Sequence, residues 1–243
     1  MAATEEAASL RRFERALVVI AHPDDADFWA GGTIAQWCAA GAEVSYCVIT
    51  DGDAGGSDPT LHRTELPAIR RAEQRAAAQG LGVTEVGFLG YPDGCLEPTI
   101  ALRRDLTRAI RRTRPDRMLV WSPEWNWQRP SHPDHRAAGE AAWSAIFPDA
   151  RNPFAHPQLL AEEGLEPWAV DEVWMIGAPH PNRYVDVTAT FDQKIAALRA
   201  HKSQTGHRDR LVEAMRARLA PNTEAAGLPQ GRLAEAFQVV NLA

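Results

Sequence analysis

The feature that most constrains this chain is an apolar run that ends in an acidic turn. Leu17-Val18-Val19-Ile20 is purely aliphatic, which is typical of a strand buried in a parallel sheet. His22-Pro23-Asp24-Asp25 follows at once, and Asp27 adds a third carboxylate. Pro23 restricts its own backbone and that of the residue before it, so the turn is stiff. A bound divalent cation relieves the repulsion among these acids, and zinc accepts histidine and carboxylate ligands. We therefore predict that the turn forms half of a metal site.

Strand and helix patterns alternate along the chain, which predicts an α/β fold. Strand patterns cover residues 16–21, 44–50, 85–89, 117–121, 172–176 and 184–187. Helix patterns cover residues 28–40, 67–80, 99–113, 135–147 and 190–202, and the tail to residue 243 is expected to be helical and mixed. This order is typical of a Rossmann-like, mostly parallel sheet with helices on both faces. Because the sequence contains no repeat or clear linker, we expect a partly ordered leader over residues 1–15 and a single domain over residues 16–243.

The composition indicates which classes of binding partner the protein can have. The 243 residues carry a formal net charge of −6, so bulk electrostatics does not favour nucleic-acid binding. No apolar stretch is long enough to cross a bilayer, and residues 1–14 lack the apolar centre of a signal peptide. Cys38, Cys47 and Cys95 have no paired spacing, so neither a disulfide framework nor a cysteine zinc site is expected. We predict a cytoplasmic protein with a small-molecule partner, no nucleic acid and no membrane span; a homo-oligomer stays open.

A second polar cluster, His132-Pro133-Asp134-His135, closes a long loop after the fourth predicted strand. Ligands of open α/β sheets bind outside the carboxyl ends of the strands, so this cluster and the acidic turn should converge on one rim. The pair His132 and His135 can supply one metal ligand and one acid or oxyanion donor. The one ligand from this pair, together with His22 and Asp25, completes a site of two histidines and one carboxylate. Catalytic zinc sites use three protein ligands of this kind and keep a position for water.

This ligand set leaves Asp24 free, so its carboxylate is a candidate general base for the water that the metal activates. Zinc lowers the pKa of such a water to about 7 and polarises a carbonyl oxygen, which predicts amide hydrolysis as the reaction class. A protonated His132 could then stabilise the oxyanion or protonate the leaving amine.

Several of these motifs resemble the PIG-L/LmbE-like zinc N-deacetylase family. They are Ala21-His22-Pro23-Asp24-Asp25, Gly31-Gly32-Thr33, Thr50-Asp51-Gly52, residues 70–78, Leu89-Gly90 and His132-Pro133-Asp134-His135. The resemblance extends over residues 17–204, and the combination of the two histidine motifs is its most specific part. It implies a Rossmann-like single domain. It also implies hydrolysis of an N-acetyl group on an amino sugar or amino-sugar conjugate, which releases acetate and a free amine.

The same resemblance implies a role for each motif residue. It gives three ligands for Zn²⁺: His22, Asp25 and His135. Other divalent transition metals also occupy sites of this kind. It makes Asp24 the general base and His132 the electrostatic partner of the transition state. His201-Lys202-Ser203-Gln204 resembles a recurring motif of the family, and the sequence gives no role for it.

Substrate contacts are implied at fewer positions. The resemblance places Arg70 and Asp93 at the substrate, and Trp125 and Trp127 offer ring faces that stack on sugars. The chain departs from the mycothiol deacetylase pattern at Pro130, where that pattern has a tyrosine. A tyrosine acid at this point is therefore excluded, and the acid role falls on His132 or on another loop.

Two alternative functions compete with the sugar deacetylase. The first is an amidase on a thiol conjugate or a natural product that uses the same metal site, and the motifs do not separate it from the deacetylase. The second is a non-catalytic Rossmann-type module that binds a nucleotide. Such a module needs glycines and a helix N-terminus facing phosphate, whereas here Asp24 and Asp25 occupy the first turn and would repel phosphate.

Overall fold

The computed structural model describes residues 13–56, 62–127 and 131–243, and its centre is a seven-stranded sheet. The strands are β1 (Arg15–Ile20), β2 (Glu43–Thr50), β3 (Glu85–Tyr91), β4 (Arg117–Trp121), β5 (Glu172–Ile176), β6 (Arg183–Asp186) and β7 (Ala234–Asn241). Their spatial order is β3-β2-β1-β4-β5-β7-β6. Strands β1 to β5 are mutually parallel, and β7 runs antiparallel to both of its neighbours.

Helices cover the sheet in two groups. They are α1 (Asp25–Ala39), α2 (Leu66–Leu81), α3 (Ile100–Thr113), α4 (Pro133–Ser144), α5 (Pro157–Ala161), α6 (Phe191–Ala200), α7 (Lys202–Thr205) and α8 (Leu211–Ala225). Helices α1, α2 and α6 contact one another, and α3 contacts α4. In the part of the chain that the structure describes, no helix has the length and apolar character needed to cross a bilayer.

The strand order places a ligand site between β1 and β4. From β1 the chain steps outward through β2 to β3, and then returns to the other side of β1 to form β4. Because parallel crossovers are right-handed, this reversal moves the connecting helix to the opposite face of the sheet. Open α/β sheets bind ligands at such a reversal, outside the carboxyl ends of the strands. The acidic turn follows β1, and the second histidine cluster follows β4.

The predicted fold class is confirmed, and each predicted strand is present within two residues of its expected bounds. The prediction missed β7, which lies in the tail that was expected to be helical and mixed. Strand β1 begins at Arg15, the last residue of the leader that was expected to be partly ordered. The Phe13 ring packs edge-on against Trp37, with the ring centroids 5.3 Å apart. Residues 1–12 of the predicted leader lie outside the described residues.

The Gly31-Gly32-Thr33 motif is explained by a buried ion pair that fixes α1. Glu235 on β7 accepts hydrogen bonds from the backbone N–H groups of Gly32 and Thr33, at 3.0 and 2.8 Å. Lys194 binds Glu235 at 2.7 Å and also donates to two carbonyl groups in the first turns of α1. A Cβ atom added at Gly32 would lie 2.6 Å from the side chain of Val187. The motif therefore supports the helix that begins at the acidic turn.

Candidate active site

The acidic turn holds Asp24 in an unusual backbone conformation. Asp24 has φ 93° and ψ −23°, in the left-handed region that non-glycine residues rarely adopt. Its N–H donates to Gln74 Oε1 at 2.7 Å. Arg70 donates to the Pro23 carbonyl at 2.7 Å and to Asp24 Oδ2 at 3.2 Å. Strained conformations of this kind persist where the surroundings fix them, and they cluster at functional sites.

Donor atoms from both histidine motifs converge on one point. His22 Nδ1 lies 3.2 Å from His135 Nε2, and His135 Nε2 lies 3.2 Å from Asp25 Oδ1. His22 Nδ1 lies 3.6 Å from the other carboxylate oxygen of Asp25, Oδ2. Ligand atoms about 2.0–2.1 Å from a tetrahedral zinc ion are about 3.3 Å from each other. This cluster can therefore bind a metal ion.

The second nitrogen of His22 faces two other carboxylates. His22 Nε2 lies 3.0 Å from Asp93 Oδ1 and 3.2 Å from Asp134 Oδ2. Asp134 also accepts hydrogen bonds from the N–H groups of Gly94 and Leu96. Burial alone would lower the pKa of His22, but its hydrogen bonds to Asp134, Asp25 and Asp93 raise this pKa to about 12. The carboxylates thus favour positive charge at His22, and they orient its ring with Nδ1 toward His135.

Two groups of described residues have single ligand atoms that all lie near one another, and neither group contains Asp25. His22, His132 and His135 have ligand atoms within 4.8 Å of one another, and so do His22, Asp93 and Asp134. His22 belongs to both groups. The carboxylates of the second group face the Nε2 side of its ring, as expected for outer partners of a ligating histidine.

The pKa values of the two neighbouring acids of the turn, Asp24 and Asp25, are shifted in opposite directions. Burial raises the pKa of Asp24 to about 6, and the nearby Arg70 guanidinium offsets part of that rise. Burial would also raise the pKa of Asp25, but His135 and His22 hold it well below its usual range. Two carboxyl groups of one site whose pKa values differ in this way can serve as different acid and base groups.

His132 lies beside the cluster as the N-cap of α4. Its Nδ1 accepts a hydrogen bond from the Asp134 N–H at 3.2 Å, and its side chain is 45% exposed. Its ring centroid lies 4.8 Å from that of His22. Burial and the neighbouring His22 and His135 rings lower the pKa of His132. The structure therefore favours a neutral ring with its proton on Nε2, instead of the protonated His132 expected from the sequence.

A buried hydrogen-bond network stands behind Asp24. Gln74, which accepts from the Asp24 N–H, donates through Nε2 to Asp27 Oδ2 at 2.9 Å. The same Asp27 oxygen lies 2.7 Å from His201 Nε2. Ser203 donates twice to Glu73 on α2, from its N–H and its hydroxyl group. The His201-Lys202-Ser203-Gln204 motif follows the C-terminal end of α6. It therefore connects this end to the acidic turn through Asp27 and to α2 through Glu73.

This network predicts a loss of stability when Gln74 is replaced. Gln74→Leu removes the acceptor of the part-buried Asp24 N–H and a buried donor to Asp27. Leaving buried polar groups unsatisfied costs about 1–3 kcal/mol each, so we expect the free energy of unfolding to fall by about 2–4 kcal/mol. Urea denaturation measures the change. Gln79→Leu, at an exposed position of the same helix, is the control and should stay within about 0.5 kcal/mol of the parent.

The residues expected at the substrate occupy different surroundings. Arg70 is only 3% exposed, and its three hydrogen bonds go to Gly52, Pro23 and Asp24. Asp93 is buried against His22. These contacts support a positioning role for both, and direct contact with substrate stays a prediction. Trp125 and Trp127 are 37% and 86% exposed, with ring centroids 5.1 Å apart. Pro130 lies outside the described residues.

A cavity of about 540 Å³ opens beside His132 and His135. Aromatic rings on its walls come from Phe28, Trp29 and Trp121. Its far side is formed by the C-terminal part of the chain, including Gly177, Pro181, Arg218, Leu219, Asn222 and Gln238. Neither these residues nor Trp121 belong to the motifs that predicted the site. Trp121 ends β4 and so lies on the rim where ligands bind, which is the one signal that could have identified it.

Comparisons with known proteins identify the family and similar chains. The model of the GlcNAc-PI de-N-acetylase (PIG-L) family matches residues 17–146. A diacetylchitobiose deacetylase of Thermococcus kodakarensis is 32% identical over 191 residues, with 79% of this chain and 70% of the relative covered. A probable N-acetyl-alpha-D-glucosaminyl L-malate deacetylase 2 of Bacillus cereus is 31% identical over 196 residues, with 78% and 83% covered. The solved N,N'-diacetylchitobiose deacetylase from Pyrococcus horikoshii superposes with a TM-score of 0.87 at 31% identity, covering 95% of this chain and 85% of that one.

Proposed function

The chain belongs to the GlcNAc-PI de-N-acetylase (PIG-L) family, and from that premise we propose that it hydrolyses the N-acetyl group of an amino sugar or amino-sugar conjugate. The reaction releases acetate and a free amine. One observation carries the proposal: His135 Nε2 lies 3.2 Å from both His22 Nδ1 and Asp25 Oδ1, beside a separate carboxylate, Asp24. The relatives named above deacetylate N-acetylated sugars, which supports the same substrate class here.

The proposed cofactor is Zn²⁺, held by His22, Asp25 and His135. Two imidazoles and one carboxylate form a ligand set found in catalytic zinc sites, although nickel, cobalt and iron suit imidazole as well. A zinc ion held by these three residues would supply a water molecule with a pKa of about 7 and a Lewis acid for the carbonyl oxygen.

The remaining residues of the site move and stabilise charge. Asp24 takes the proton from the attacking water, since its pKa near 6 suits a base at neutral pH. Arg70 holds the Asp24 carboxylate from the protein side. His132 donates from Nε2–H to the carbonyl oxygen as negative charge develops there. The proton gained by Asp24 is then available for the departing amine nitrogen.

The cavity beside the site supports a conjugate as substrate. Its volume of about 540 Å³ lies within the range of roughly 300–1,000 Å³ that is typical of small-molecule sites. Aromatic rings and amide side chains line it, and both suit a sugar with an attached group. An amidase acting on a thiol conjugate or natural product would use the same residues, so the choice of substrates in the assay separates the two.

The test measures acetate and free amine released from N-acetylglucosamine, diacetylchitobiose, N-acetylglucosaminyl malate and N-acetylglucosaminyl inositol. We expect turnover of at least one compound, a loss of more than 10-fold after removal of metal with a chelator, and recovery on adding Zn²⁺. Release of acetate only from a non-sugar amide, included as a control, would favour the alternative amidase. Absence of acetate release from every compound by the metal-loaded protein would contradict the proposal.

A further inference from the structure

One side chain touches two of the three proposed metal ligands. Trp121, at the end of β4, stacks on the His135 imidazole with ring centroids 3.7 Å apart and an angle of 12° between the planes. Its indole Nε1–H donates to Asp25 Oδ2 at 3.0 Å. We infer that Trp121 is a positioning residue that holds His135 and Asp25 in metal-binding geometry. The inference rests on the proposed metal site and names a residue of that site which the motifs do not contain.

The hydrogen bond from the Trp121 indole goes to one carboxylate oxygen of Asp25, and the other oxygen faces His135. Oδ2 accepts from the Trp121 indole and from the His22 backbone N–H, at 3.0 and 2.8 Å. Oδ1 is the oxygen that lies 3.2 Å from His135 Nε2. Since Oδ2 already has two donors, the carboxylate cannot rotate without losing them. Oδ1 is therefore kept on the side of His135 Nε2.

The Trp121 ring is itself fixed from behind. It lies in a slot beside Gly177, where an added Cβ atom would be 2.8 Å from the ring atom Cζ3. Trp29 contacts it edge-on, with ring centroids 5.1 Å apart. The ring is almost completely buried. A rigid indole stacked on the His135 ring limits the rotation of that ring about its Cβ–Cγ bond, which keeps Nε2 aimed at the cluster.

The test compares Zn²⁺ and Co²⁺ affinities of the full-length parent with those of Trp121→Phe, by competition with a chelator. Loss of an outer partner of a metal ligand typically weakens binding by about 10–100-fold, and we expect a loss in this range. The absorption spectrum of bound Co²⁺ should also change, because it reports ligand geometry. Thermal unfolding of the metal-free proteins gives the purely structural effect.

Trp174→Phe is the matched control. Trp174 is equally buried on the neighbouring strand, and its Nε1–H also donates to a carboxylate, Glu172 Oε2, at 2.8 Å. That carboxylate is not a proposed ligand. The control should lose thermal stability while its metal affinity stays within twofold of the parent. A merely structural role for Trp121 would give the same result at position 121 and would overturn the inference.

A second replacement guards against misfolding of Trp121→Phe. The analogue β-(3-benzothienyl)alanine, placed at position 121 alone, keeps the bicyclic ring and its stack but lacks the N–H donor. We expect it to weaken Zn²⁺ binding less than Trp121→Phe does. If Trp121→Phe does not fold, an analogue protein with parental Zn²⁺ affinity overturns the role of the indole N–H in holding Asp25. If the parent itself binds neither metal, the proposed function fails as well, whereas a metal-binding parent with unaffected variants overturns only the role of Trp121.

Discussion

Asp24→Asn is expected to keep its metal and lose about 10²–10⁴-fold in kcat, the usual contribution of general acid–base catalysis. The substituted amide has nearly the shape of the carboxylate, and its backbone N–H can still donate to Gln74. It cannot accept a proton from water at neutral pH. Asp24 is not one of the three converging donors, so metal content should stay near that of the parent. Elemental analysis and the acetate assay on the same preparation measure both quantities.

The exposed residue Asp192 provides the control for this prediction. Asp192→Asn makes the same chemical change in the first turn of α6, away from the converging donors. Its kcat should equal that of the parent. Near-normal turnover of Asp24→Asn would remove Asp24 as the base and leave its left-handed backbone without a catalytic explanation. Loss of metal from Asp24→Asn would instead make this carboxylate a ligand.

The central fold was predictable because its strands carry their own signal. β1 and β4 lie in the middle of the sheet and are buried along almost their whole length, so their sequences are continuous apolar runs. The rule that ligands bind beyond the carboxyl ends of such strands was enough to bring His22 and His135 together. Strand β7 was not predicted, because its sequence mixes apolar and polar residues and it pairs antiparallel at the far side of the sheet.

Contacts between side chains that are far apart in the sequence could not be predicted. His201 reaches Asp27 across 174 positions, and Trp121 reaches Asp25 across 96. Nothing in the local pattern of either residue indicates its partner, because the fold alone brings them together. Arg70 shows the same limit in another way. The motif identified it as a site residue, but only the structure shows that its guanidinium contacts the turn from the protein side.

His135→Ala is expected to lose the metal, and with it the activity. It removes the one donor that lies 3.2 Å from both His22 Nδ1 and Asp25 Oδ1, leaving two protein ligands where catalytic zinc uses three. The loss in Zn²⁺ affinity should exceed the roughly 10–100-fold expected for an outer partner, so this variant should rank below Trp121→Phe. His62→Ala, at an exposed position, should retain one metal per chain. Full metal content in His135→Ala would mean that another of the nearby groups, His132 or Asp93, completes the site, and the assignment of His135 as a ligand would be wrong.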